Sequence, residues 1–106
     1  MTPAWREFGH WRTGVEYALD GGLWLHRFTL RGVRWAHLVS ADRDLLLEAG
    51  ARLHLDARWL QHRPLRDPRT LERVEAWHWD LRGERLVRAV ALAGPRVPFG
   101  ARAGPE

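Results

Sequence analysis

The stretch Val-Glu-Ala-Trp-His-Trp-Asp-Leu, residues 74–81, sets His78 and Asp80 two positions apart, with Trp77 and Trp79 on either side of the histidine. In an extended chain, side chains two apart share a face, so this pair would project side by side. A carboxylate so placed can orient an imidazole and stabilise its charged form during acid–base work. The two can also supply ligands to a divalent metal, with His37 or His62 as a third. Each residue has a structural alternative. Asp80 directly precedes a predicted helix, where Asp is a favoured N-cap. His78 can hydrogen-bond within a core. His37 alternates with Trp35 and Val39, which suits burial unless it meets His78 across a sheet. Gln61 suits a loop-anchoring amide. The candidate catalytic set is therefore His37, His78 and Asp80, with no cofactor or metal assigned; His10, His26 and His54 carry no separate expectation.

Composition removes most other chemistry. All 17 basic residues are Arg, and Lys, Asn, Ile and Cys are absent. There is no lysine for a Schiff base or a phosphate loop, and no thiolate or disulfide. The one serine, in Val39-Ser40-Ala41, lacks the flanking glycines of a nucleophile elbow. Covalent catalysis is disfavoured. Acid–base, His/carboxylate metal and Arg–anion chemistry remain.

The formal charge is +4, and the segment 58–73 carries five Arg against two acids. Polyanion affinity comes largely from such charges. Arg58, Trp59, Gln61, Arg63, Arg66, Arg69 and Arg73 are thus the candidate binding residues for nucleic acid or another phosphate-bearing ligand. Trp77 and Trp79 could stack bases, although tryptophans at period two more often fill one face of a sheet.

The elements needed to place these groups fit one domain of 106 residues. Met1 to Gly14 reads as an irregular arm, or one short helical turn, tucking in Trp5, Phe8 and Trp11. Val15, Tyr17 and Leu19 alternate before Asp20-Gly21-Gly22, and Leu23 and Leu25 resume the alternation, which predicts a β-hairpin. Arg31-Gly32 marks a second turn. Trp35, His37 and Val39 then line one strand face, with Ala36 and Leu38 on the other. Ser40 or Asp42 can cap a helix to Leu53, with Leu46, Ala49, Gly50 and Leu53 buried. Asp56 can cap a short turn over 57–61, and Gln61 to Thr70 reads as a basic loop. A last helix over 81–93 would bury Leu86, Val87, Val90 and Ala93 and stop at Gly94-Pro95. Val97 and Phe99 suggest a final strand. The prediction is an α/β domain with three to four strands and about two helices, divided as 1–22 (arm and first hairpin strand), 23–99 (core) and 100–106 (flexible tail).

With these elements in place, the order of short motifs resembles the small bacterial and phage proteins grouped as domain of unknown function 4031. The matching positions are Trp35 and His37, Ala51-Arg52-Leu53-His54-Leu55, Trp59 and Gln61, His78-Trp79-Asp80, and Ala93-Gly94. The resemblance spans Leu23 to Phe99 and implies positions and fold more than activity. Three departures stand out. The first strand, Leu23-Trp24-Leu25-His26, lacks the family's acidic pair, Leu47 replaces a helical histidine, and Trp79 replaces a tyrosine. If the missing groups serve an active site, the activity is lost here.

The leading expectation is a module binding a phosphate-bearing ligand through the Arg-rich loop. The alternatives are a non-covalent hydrolase or transferase using His37, His78 and Asp80, and an accessory factor that binds a protein. No apolar run is long enough to span a bilayer, so a cytoplasmic protein is expected; a homodimer is compatible with the surface.

Overall fold

The computed structural model describes residues 5–97. In chain order it contains β1 (Trp5–Glu7), α1 (Trp11–Leu19), β2 (Leu23–Leu30), β3 (Val33–Ser40), α2 (Arg43–Arg52), a 3-10 turn (Ala57–Trp59), β4 (Gln61–His62), β5 (Leu65–Arg66), β6 (Arg73–Val74), β7 (Trp77–Leu81) and α3 (Gly83–Ala93). A five-stranded sheet runs β1-β2-β3-β7-β4, and β5 and β6 form a separate ribbon. The α/β class is as expected. The strands and helices are more numerous than predicted, because β1, β4, β5 and β6 are only two or three residues long and too short to show a period. No helix among the described residues is long and apolar enough to cross a membrane.

The β2–β3 hairpin sets the frame. Arg31 and Gly32 have φ of 51° and 78°, the two positive values that let a two-residue turn match the twist of its strands. Leu30 thereby pairs with Val33, and the register runs back through His26 opposite His37. Strand β7 then pairs antiparallel with the other side of β3.

Alternation splits the strands between two faces. Leu23, Leu25, Ala36, Leu38, Trp79 and Leu81 pack beneath α2 and α3, against Leu46, Ala49, Leu53, Leu86 and Ala89. Of the two expected candidates it is Asp42 that caps α2, accepting a hydrogen bond from the Leu45 amide at 3.0 Å, while the Asp42 amide donates to Ser40 Oγ. Asp56 caps the 3-10 turn at the Arg58 amide. Among the described residues the opposite face is covered at one end, where Phe8, Val15 and Ala18 meet Trp24 and Val39.

Four expectations are corrected. Residues 11–19 form a helix rather than an arm and a hairpin strand. Trp11, Val15 and Ala18 are spaced i, i+4, i+7, and the helical stripe prevails over the alternation of Val15, Tyr17 and Leu19 because it can lie against Trp24. Gly14 makes that approach possible, since a Cβ there would sit 2.0 Å from the Trp24 ring. The basic loop contains β4 and β5. Val87 points outward, 71% exposed, while Leu86 and Ala89 face the core. Asp80 caps nothing: pairing of Ala36 with Leu81 prolongs β7, so α3 starts at Gly83 with Arg82 at its N-cap and no side-chain cap. Val97 makes one parallel bridge to Phe8, whereas Phe99 and the tail lie outside the described residues.

Candidate metal and anion site

Register brings the candidate catalytic residues together. His37 on β3 lies opposite Asp80 on β7, and His78 lies opposite Gln61 on β4. All project from the face that α2 and α3 leave alone. His37 Nε2 is 3.1 Å from Asp80 Oδ1, and His78 Nε2 is 3.3 Å from the same oxygen. The two imidazole centroids are 4.5 Å apart. Gln61 Nε2 donates to the other carboxylate oxygen, Oδ2. The amide thus anchors the carboxylate, and its two oxygens are divided between the amide and the imidazoles.

The imidazoles are held neutral. Burial pushes His37 down to about 4, helped by the neighbouring His78 and only partly opposed by Asp80. Burial also lowers His78, against the pull of Asp80. Desolvation disfavours the charged ring in both cases. At neutral pH these are therefore close contacts between uncharged rings and a carboxylate oxygen. His78 is buried, while His37 and Asp80 have side chains 35% and 37% exposed, so solvent reaches the group from one side.

Three donors converge here: one nitrogen from each of His37 and His78 and one oxygen from Asp80 lie within 4.8 Å of one another. A tetrahedral zinc site with bonds of about 2.0–2.1 Å separates its donors by roughly 3.3 Å. The two distances to Asp80 already match. His62 does not join them. It points to the other side of the sheet, 3.0 Å from Glu75 and against Trp77.

Sequence reasoning missed His26. It stacks on Trp24 with centroids 5.0 Å apart, and its ring lies 6.5 Å from His37. Burial lowers its pKa as well. The signal was available, because a two-residue turn at Arg31-Gly32 fixes His26 opposite His37. Sequence reasoning also missed that Arg63 sits close enough to disfavour the charged forms of both His37 and His78.

The candidate binding residues divide. Arg58 is held by Asp56, at 2.8 Å from Oδ2. Arg69 bridges Asp67 and Asp20, tying the ribbon to the end of α1. Trp59 lies under the Arg85 guanidinium. Arg63 and Arg66 instead line a cavity of about 360 Å³ together with His26, His37 and His78. Arg66 and Arg73 face each other across the ribbon. Of the paired tryptophans, Trp79 is core, its Nε1 donating to the Leu46 carbonyl at 2.7 Å, and Trp77 packs beside it.

Comparison with protein-family models, curated proteins and solved structures returned no match.

Proposed function

We propose that this face of the sheet is a divalent-metal site for hydrolysis of a phosphate-bearing substrate, which joins the two leading expectations in one place. The carrying observation is that His37 and His78 both bring Nε2 close to the same oxygen of Asp80, at 3.1 and 3.3 Å. Three protein donors leave a fourth position for water, the arrangement of catalytic rather than structural zinc. Neutral imidazoles suit it, since no proton need be removed from a cationic ring before a metal binds. The ring protons would then reside on Nδ1. A bound metal lowers the pKa of its water and polarises a phosphoryl oxygen. Arg63 supplies a fixed positive charge beside the metal position.

The reading also draws on the resemblance to domain of unknown function 4031. His37, Gln61, His78 and Asp80 belong to three of the motifs that carry the resemblance, and in the fold they meet at one carboxylate.

Titration with cobalt(II) tests the proposal. One equivalent should give the visible absorption of a four-coordinate site, and zinc should displace it. His37→Gln and Asp80→Asn should each weaken uptake at least tenfold. Metal should raise the unfolding midpoint and support hydrolysis of p-nitrophenyl phosphate. Failure of the folded protein to take up cobalt, zinc or manganese would refute the reading.

A second reading rests on Arg66 facing Arg73. With Arg63, they could hold a polyanion without turnover. Oligonucleotide affinity should then fall steeply with salt and survive Asp80→Asn.

A further inference from the structure

His37 and His78 do more than approach Asp80; they form part of the wall of the 360 Å³ cavity. Its size lies at the lower end of small-molecule pockets, roughly 300–1,000 Å³. The cavity is bounded by Trp11 and Val15 of α1 on one side and by Leu65 and Arg66 of the ribbon on the other. Such walls enclose one small molecule more readily than they track a continuous strand.

The wall is chemically divided. Trp11 is 59% exposed although Val15, one turn on, is 3% exposed. An open indole at a cavity rim offers a flat face to a flat ring. Trp24, deeper in the same wall, is 5% exposed, and its Nε1 is a buried donor without a partner. A buried orphan donor is costly unless something accepts from it. Arg63 and Arg66 line the same cavity. Neither forms an ion pair among the described residues, whereas Arg58 and Arg69 of the same segment are each held by aspartates. The cavity therefore combines aromatic and anion-binding side chains with two of the proposed metal ligands, His37 and His78, in one wall.

We infer that the substrate is a ring-bearing phosphomonoester of the size of a single nucleoside monophosphate. Its ring lies against Trp11 and its phosphate between Arg63 and the metal position. This inference rests on the metal-hydrolase reading. In the reaction, the oxygen of a metal-bound water forms the new bond to phosphorus and the ester P–O bond breaks. The leaving oxygen takes the proton that the water gives up, so the products are the free alcohol and inorganic phosphate.

Calorimetry on the zinc-loaded protein tests the assignment, with the four nucleoside 5′-monophosphates, inorganic phosphate, the free nucleosides and an oligonucleotide without terminal phosphates as probes. At least one monophosphate should bind tenfold or more tightly than phosphate or its own nucleoside. Trp11→Ala should remove that advantage while leaving phosphate binding and the cobalt spectrum unchanged. Arg63→Gln combined with Arg66→Gln should weaken monophosphate and phosphate alike at least tenfold. All three side chains are exposed, and far-UV circular dichroism checks that each variant is folded. Equal affinity for monophosphate and phosphate, no response to Trp11→Ala, or equal binding of the oligonucleotide would overturn the inference. Monophosphate binding by a protein that takes up no metal would overturn the hydrolase reading and uphold the ring-and-phosphate pocket.

Discussion

The two faces of the central sheet are built from alternate residues of the same three strands, and they differ in nearly every physical respect. Beneath α2 and α3 lie Leu23, Leu25, Ala36, Leu38, Trp79 and Leu81, each exposed by 1% or less. On the reverse lie Trp24, His26, His37, His78 and Asp80, an aromatic and titratable row that α1 and the ribbon cover at one end. The dry face is the reason the wet one can be exact in position. Trp79 is fixed between Leu46 and the sheet, so its neighbours His78 and Asp80 inherit a rigid backbone. One β-strand thus carries the buried apolar core on one parity and a cluster of titratable side chains on the other.

Adjacent residues of β3 give the largest contrast. Leu38→Ala opens a cavity in the covered face and should cost about 2–5 kcal/mol in urea unfolding. His37→Gln, one residue away, should cost under about 1 kcal/mol in metal-free protein and act on metal uptake instead. Equal losses would mean that both faces are core.

Next in size is Gly14→Ala. Its Cβ would meet the Trp24 ring, and overpacking of this kind typically costs about 1–3 kcal/mol. Because α1 shelters the histidine face alone, metal uptake should weaken as well. A variant of unchanged stability would show that α1 can shift away freely.

Acid should discriminate between the faces through His37. Its folded pKa, about 4, lies below the ordinary value, so the unfolded chain binds the proton more readily. Above about pH 6.5 the ring is neutral in both states and costs nothing; as pH falls from there to about 4 the unfolded chain takes up the proton first, so stability declines across that window. Allowing for the solvent that reaches His37, the metal-free protein should lose about 1–2 kcal/mol across that window. His37→Gln should flatten the profile there, measured by denaturant unfolding at each pH. A profile identical to the parent would place the acid sensitivity in other groups.

The smallest effect is expected at Trp11. Trp11→Ala should change stability by less than about 0.5 kcal/mol, as exposed positions usually do. A loss of several kcal/mol would make Trp11 a packing residue and remove it as a ring platform.

Much of this was legible along the chain. The faces of β3, the Asp42 and Asp56 caps, and the shared parity of His78 and Asp80 all follow from local periodicity and capping chemistry. Residues 11–19 misled because an alternating triplet and a helical stripe coexist there, and only contact with Trp24 separates them. Asp80 misled for a related reason: an aspartate before a helical pattern is a cap only if the strand has ended, and the pairing of Leu81 with Ala36 carries the strand past Asp80. The Arg segment looked uniform because sequence shows charge but not partners. Folding gives Arg58 and Arg69 to aspartates and leaves Arg63 and Arg66 at the cavity.

Side-chain parity and helix caps are short-range consequences of backbone geometry, so the order of residues alone was enough to set them. The neighbourhood of β3 and β7, separated by residues 41–76, was a matter for the folded chain. That pairing is selected by which arrangement buries the most apolar surface while satisfying the backbone. It is this packing that moves His37, His78, Asp80 and Gln61 into one cluster, and the same desolvation keeps the imidazoles uncharged.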